Sequence, residues 1–251
     1  MTAPELRDFS VKIANYLQKA GYDGLFLPFS KELKEYLAQF GEGIPYDYVM
    51  NELKKSKLLP EPIKAWEYSA EPILRALPQI KRINSDLQAY CYGDPFYEKT
   101  LVEILVESTI LTLKSSITGE IETEKWRKLL LQEHWHRKEA LQKEIEFIVV
   151  KAGQHGISVC VSGSNGIYIA SELEEEGYKT RVTRIGETFS PTPLDVLRKE
   201  INTPEISDER IKELVLLHIK YIKEYVLRSQ NPDQAYRKWH LSSNKLNKKI
   251  E

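Results

Sequence analysis

The sequence predicts an α/β protein: a mainly parallel central sheet flanked by helices, with a helical insertion near residues 94–154 and a helical C-terminus. Three observations carry this. Before residue 94, short apolar runs alternate with amphipathic helical segments, the rhythm of a parallel sheet covered by helices. "ISVCVSG" (157–163) is a continuous apolar run, as expected of a strand buried on both faces. Residues 94–154 and 190 onward show helical periodicity with no strand signal.

The elements follow in chain order. Thr2 to Glu5 forms a capping box with Pro4 inside the first turn, and Leu6, Phe9, Ile13, Leu17 and Ala20 recur at helical spacing until Gly21. "YDGLFLPF" is a short buried strand. Ser30 caps a helix carrying Leu33, Leu37 and Phe40, stopped by Gly41, and Tyr46 to Leu58 is a third helix. "IKAWEYS" and "IKRINSD" read as strands on either side of a short helix opened by Pro72 and closed by Pro78. Asp94-Pro95 caps a long apolar helix, and after Thr118-Gly119 a second long helix runs from Thr123 to Ala152. Its apolar stripe weakens over residues 132–137, where a kink or a cavity is expected. "ISVCVSG" is expected at the centre of the sheet, followed by a polar loop, a helix ending at Gly177, and "YKTRVTRI" as an edge strand with Arg181 and Arg184. "SPTPLD" links to helices near Leu194–Ile201 and Ser207–Arg228.

With 251 residues and 41% hydrophobic content, the chain suits a single α/β domain over 1–228, followed by a basic tail at 229–251. The net charge of −1 gives no global pull toward nucleic acid or an anionic membrane. Two cysteines, Cys91 and Cys160, make neither a disulfide framework nor a zinc site and point to a reducing cytoplasm. The N-terminus "MTAPELRDFS" lacks signal-peptide features, and no apolar stretch reaches the roughly 18 residues of a membrane span. A Lys- and Glu-rich, Gln-poor composition leans toward a thermophile.

The best site candidate is the loop Ser162, Gly163, Ser164, Asn165 and Gly166, between a strand end and a helix start. Ligands of parallel sheets bind beyond the carboxyl ends of strands. Helix-start amides and glycine backbone suit a polar or anionic small molecule there. The bland alternative is a turn in which Ser164 or Asn165 caps the helix. The loop matches neither Walker A nor GxGxxG. Asp86, expected at a strand end, and Glu67, inside "AWEYS", are the candidate general bases, each weighed against a plain turn or surface role. Arg137 is the candidate anion partner. "EHWHRKE" places two histidines at i and i+2, on different sides of a helix, so it reads as a solvated face with Trp135 partly buried, and no metal or cofactor is expected. His218, on an apolar helix face, reads as a core residue, and Cys160 as buried and inert. Basic residues with Tyr236 and Trp239 in the tail give a second partner class, nucleic acid bound through residues 228–251, six Lys or Arg against one Asp up to residue 249.

Four stretches, "YDGLFLPFSKEL", "IKRINSDLQ", "HRKEALQKEI" and "ISVCVSGSNGIYIASELEEEGYKTRVTRI", resemble the TIKI/TraB/erythromycin-esterase-like superfamily of α/β hydrolase-like proteins. Asp86 and Arg137 match its pattern. The family's early Gly-x-x-His motif has no counterpart, its acidic residue after the second strand falls on Pro28, and its late-loop histidine on Asn165. The resemblance implies the scaffold in a catalytically degenerate form. The expected function is a cytosolic binding or accessory protein with a polar pocket at Ser162–Gly166, Asp86 and Arg137. The alternatives are a hydrolase using Asp86 or Glu67 and a nucleic-acid-associated factor.

Overall fold

A computed structural model describes residues 6–19, 21–186, 190–203 and 206–247. The expected capping box at Thr2–Glu5 and the contact of Ala20 lie outside the described residues. The chain forms helices α1 (Arg7–Leu17), α2 (Lys34–Gly41), α3 (Tyr46–Ser56), α4 (Ile63–Ile83), α5 (Pro95–Thr118), α6 (Thr123–Ala152), α7 (Gly166–Glu175), α8 (Pro193–Glu200), α9 (Asp208–Tyr221) and α10 (Pro232–Asn247). Strands β1 (Gly24–Ser30), β2 (Gln88–Gly93) and β3 (Ser158–Cys160) form one parallel sheet of order β2-β1-β3. A 3-10 turn, Lys31–Leu33, joins β1 to α2, and a π-helical turn, Ile222–Val226, continues α9.

The residues group into two compact units. A sheet unit holds residues 6–100 and 138–186, and a helical unit holds 101–137 and the segment from 190 onward. In the sheet unit, alternation along β1 sends Leu25, Leu27 and Phe29 into a core shared with α1–α4. Phe26, with Tyr90 and Tyr92 of β2, turns to the opposite face, against Ile145 and Ile148 of α6 and Ile169 of α7. Both faces are therefore covered, as a parallel sheet requires. In the helical unit, Ile104 and Leu111 of α5, Trp126, Leu129 and Leu130 of α6, Leu197 of α8 and Ile211 and Val215 of α9 form a separate core.

The α/β class stands, with fewer strands than expected. "IKAWEYS" and "IKRINSD" are not strands; together with the segment between them they form α4, 21 residues long. Ala70, Ile73, Leu74, Leu77 and Ile80 are all buried, a 3.6-residue period that runs through both Pro72 and Pro78. "QAYCYG" forms β2, a strand where no element is expected. β3 is three residues long and lies at a sheet edge; the central strand is β1, whose Leu25, Phe26 and Leu27 have no exposed surface. "YKTRVTRI" forms no strand. The Tyr178 hydroxyl instead donates to the Val149 carbonyl at 2.8 Å, anchoring the start of the segment to the end of α6. Residues 132–137 lie within the continuous α6, and the apolar stripe weakens there because Glu133 is buried and accepts from Arg198 Nε at 3.0 Å.

Candidate functional site

Strand polarity sorts the candidate residues. β1, β2 and β3 all point the same way, so Ser30, Gly93 and Val161 open onto one carboxyl edge. The Ser162–Gly166 loop leaves β3 on that edge. The Gly166 amide donates to Gly163 O at 3.3 Å, and no side chain caps α7 at Asn165. The Ile167 and Tyr168 amides meet no protein acceptor outside the helix among the described residues. Ser164, Ile167 and Tyr168 are exposed. The loop is thus an open polar turn leading into a ten-residue helix.

Facing it across the same edge is a group of carboxyls the sequence did not single out. Asp94 follows β2 and caps α5, its Oδ1 accepting from the Tyr97 amide at 2.8 Å. Glu98 stands one turn into α5, where the Ser30 amide donates to it. Glu144, buried on α6, accepts from the Asp94 amide at 3.4 Å. Burial first, then the neighbouring charges of Glu144, Glu32 and Asp94, push the Glu98 carboxyl up to about 8. At neutral pH Glu98 is a proton donor. Gly93 lets it approach the strand end: a Cβ there would lie 2.8 Å from the Phe29 carbonyl oxygen and 3.2 Å from Glu98 Oε1. Tyr92 ties the two outer strands together on this edge, its hydroxyl donating to Val161 O at 2.8 Å. Lys31, leaving β1, lies over the Phe147 ring at 4.7 Å.

No family model, curated protein or solved structure matches the chain. The reading of the edge therefore rests on its own chemistry.

The other residues singled out from sequence are dispersed. Asp86 is exposed in the turn before β2, at the amino edge of the sheet and thus opposite the loop. It does not end a strand, because the segment before it is helix α4. Glu67 is a helical residue of α4, ion-paired with Lys54 of α3 at 2.7 Å, so it faces no sheet edge. Arg137 belongs to the helical unit, whereas the loop belongs to the sheet unit. His134 Nδ1 contacts Asn202 Nδ2 at 2.8 Å, and Trp135 is 58% exposed rather than partly buried. Among the described residues no group of three His, Cys, Asp or Glu is placed to hold a metal ion. Burial pushes the Cys91 and Cys160 thiols up to about 12, which leaves neither nucleophilic at neutral pH. His218 is brought down to about 4 by burial and so stays neutral.

The amino edge carries a network of its own. Asp23 accepts from the Gly156 and Ile157 amides at 3.0 and 2.9 Å, which holds its carboxyl below the usual range. His155 lies 3.7 Å from Asp23 and 2.9 Å from the Tyr90 hydroxyl, which donates to Gln88 at 2.7 Å. Burial raises the Tyr90 pKa, the opposite of what a nucleophile needs. This network fastens the end of α6 to the sheet.

In the tail, Tyr236 is buried with its hydroxyl accepting from the Ser190 amide at 2.7 Å. Trp239 packs edge-on to Tyr221 and Tyr225, with ring centroids 5.4 and 5.6 Å apart. Both aromatic residues are engaged within the helical unit.

Glu98 and Gly93 have a sequence signature in retrospect. "YCYGDPFYE" combines a β-prone run, a glycine, an Asp-Pro helix start and an acid one turn later. The run went unassigned because the strand was placed at 80–86, seven to eight residues too early.

Proposed function

We propose that the chain is a binding or accessory protein that holds a polar or anionic small molecule at the carboxyl edge of its sheet. The observation that carries this is the pairing, on one edge, of an open loop entering α7 with a carboxyl kept protonated at neutral pH. The backbone amides of Ile167 and Tyr168 would hold the anionic group, aided by the α7 dipole. Glu98 would donate to a second oxygen of the ligand. Lys31, which follows β1 on the same edge, would supply the cationic contact. The free thiols Cys91 and Cys160 support placing the protein in a reducing compartment such as the cytoplasm. The ion-pair groups Arg7–Glu71–Arg75 and Glu200–Arg210–Glu213 support a thermophilic origin.

The resemblance to the TIKI/TraB/erythromycin-esterase-like superfamily stays part of this proposal. A parallel sheet followed by a late strand–loop–helix supports it; the helical "IKRIN" and the unpaired "YKTRVTRI" weigh against it. A degenerate site with Asn165 in place of the family's histidine agrees with a binding role.

The test is amide NMR on the full chain, titrated separately with inorganic phosphate and acetate. Saturable shifts confined to residues 163–168, weakened by Glu98→Leu, are expected. The absence of a saturable shift there with either anion overturns the reading. A second reading, acid–base hydrolysis at the same edge with Glu98 as general acid, is favoured by its raised pKa. It requires turnover that Glu98→Gln abolishes with the fold intact.

A further inference from the structure

Helix α5 is apolar on two opposite faces, which explains why its sequence shows no amphipathic stripe. Within the helical unit, Ile104 and Leu111 point into the core. On the other side Val106, Ile110, Leu113 and Ile117 are 55–75% exposed, with Val102 half-buried above them. Their spacing, four-three-four, is the a/d seam of a coiled coil. An isolated exposed leucine means nothing, but a continuous seam of this length marks an interface.

We propose that this face binds the same face of a second copy of the chain, with the two α5 helices antiparallel about a two-fold axis. Charge placement selects both the occupant and its direction. In an antiparallel pair, Val106 packs against the partner's Ile117 and Ile110 against the partner's Leu113. That register sets Glu107 beside the partner's Lys114, and the two-fold repeats the pair. Lys114 is already held at the helix flank by Glu122 at 2.8 Å. In a parallel pair, Glu103, which continues the seam one step before Val106, would face its own copy across the seam, a like-charge contact with no compensation. The antiparallel register instead places Glu103 beyond the end of the partner's helix, since α5 stops at Thr118.

The experiment mixes two full-length variants, Glu107→Cys and Lys114→Cys, under mild oxidation. Cys91 and Cys160 are too desolvated to compete. Sedimentation of the unmodified chain at twice the monomer mass, with cross-linking in the mixture and in neither variant alone, is expected. Ile110→Glu with Leu113→Glu should give a monomer with unchanged circular dichroism; if that variant misfolds, the cross-link still decides. Cross-linking of Glu107→Cys with itself overturns the antiparallel arrangement. A monomer at all concentrations, including one whose α5 face binds lipid vesicles instead, overturns the proposal.

Discussion

Arg7 Nη1 donates to the Tyr68 carbonyl at 3.0 Å, the group whose helical donor would have been the amide of residue 72. Residue 72 is proline and has no N–H. The guanidinium of α1 thus completes the hydrogen bonding of α4 at the point where the helix should break, while also pairing with Glu71. Arg7→Met should destabilise the protein by about 1–3 kcal/mol, the cost of losing a charged donor and orphaning a half-buried carbonyl. In a Pro72→Ala background the helix supplies its own donor, so the same change should cost less. A double-mutant cycle by urea denaturation measures the difference; additive costs would show that Arg7 acts through Glu71 alone.

Glu98 makes stability depend on pH in an unusual direction. Its folded-state pKa, about 8, lies above the ordinary 4.5, so the folded chain keeps a proton that the unfolded chain has lost. The stabilisation is complete below the ordinary value and disappears as pH rises through about 8. His218, brought down to about 4 from 6.5, works the other way and is lost as pH falls. Between about pH 6.5 and about pH 8 Glu98 titrates without His218. Stability should fall across that window by up to about 2 kcal/mol, less where solvent screens the half-buried carboxyl. Glu98→Gln should remove this fall. A wild-type profile that is flat across the window contradicts the assignment.

Two glycines on the same edge should respond oppositely to alanine. At Gly93 the new Cβ would meet the Phe29 carbonyl carbon and oxygen at 2.9 and 2.8 Å, backbone that cannot move aside cheaply. Gly93→Ala should cost about 1–3 kcal/mol and displace Glu98. At Gly166 the nearest atom is Ser162 Cβ at 3.7 Å, an ordinary contact, and the position opens a helix. Gly166→Ala should leave stability within about 1 kcal/mol of wild type or raise it slightly. It can therefore probe whether the loop backbone needs open space without confounding the fold. Thermal melts of both variants check the contrast.

What the sequence disclosed follows the length of each pattern. α6 and its boundaries were legible because its apolar spacing, though interrupted at 132–137, runs between the Thr118-Gly119 turn and Gly153. The end of α2 at Gly41 and the cap at Ser30 were legible from residue chemistry alone. α4 was misread because two prolines outweighed its apolar spacing, and the residue that compensates for Pro72, Arg7, lies more than sixty residues away. No local rule reaches that far. The loop Ser162–Gly166 was legible as a junction, but its partners were not: Asp86 went to the wrong edge once its strand was placed too early, and Glu98 and Glu144 meet only in three dimensions.

The tail offers a discriminating test between structure and recognition. If Tyr236 and Trp239 stacked on bases, substituting them would weaken nucleic-acid affinity and spare the fold. Their packing argues the reverse. Tyr236→Phe removes the acceptor of the Ser190 amide and should cost about 1–2 kcal/mol. Trp239→Ala removes the ring wedged edge-on against Tyr221 and Tyr225 and should cost about 2–4 kcal/mol. Both losses should appear in the unfolding of the helical unit, followed through tryptophan fluorescence with Trp126, fully buried in that core, as the reporter. A Trp239→Ala variant as stable as wild type would mean that the ring is held out for a partner after all.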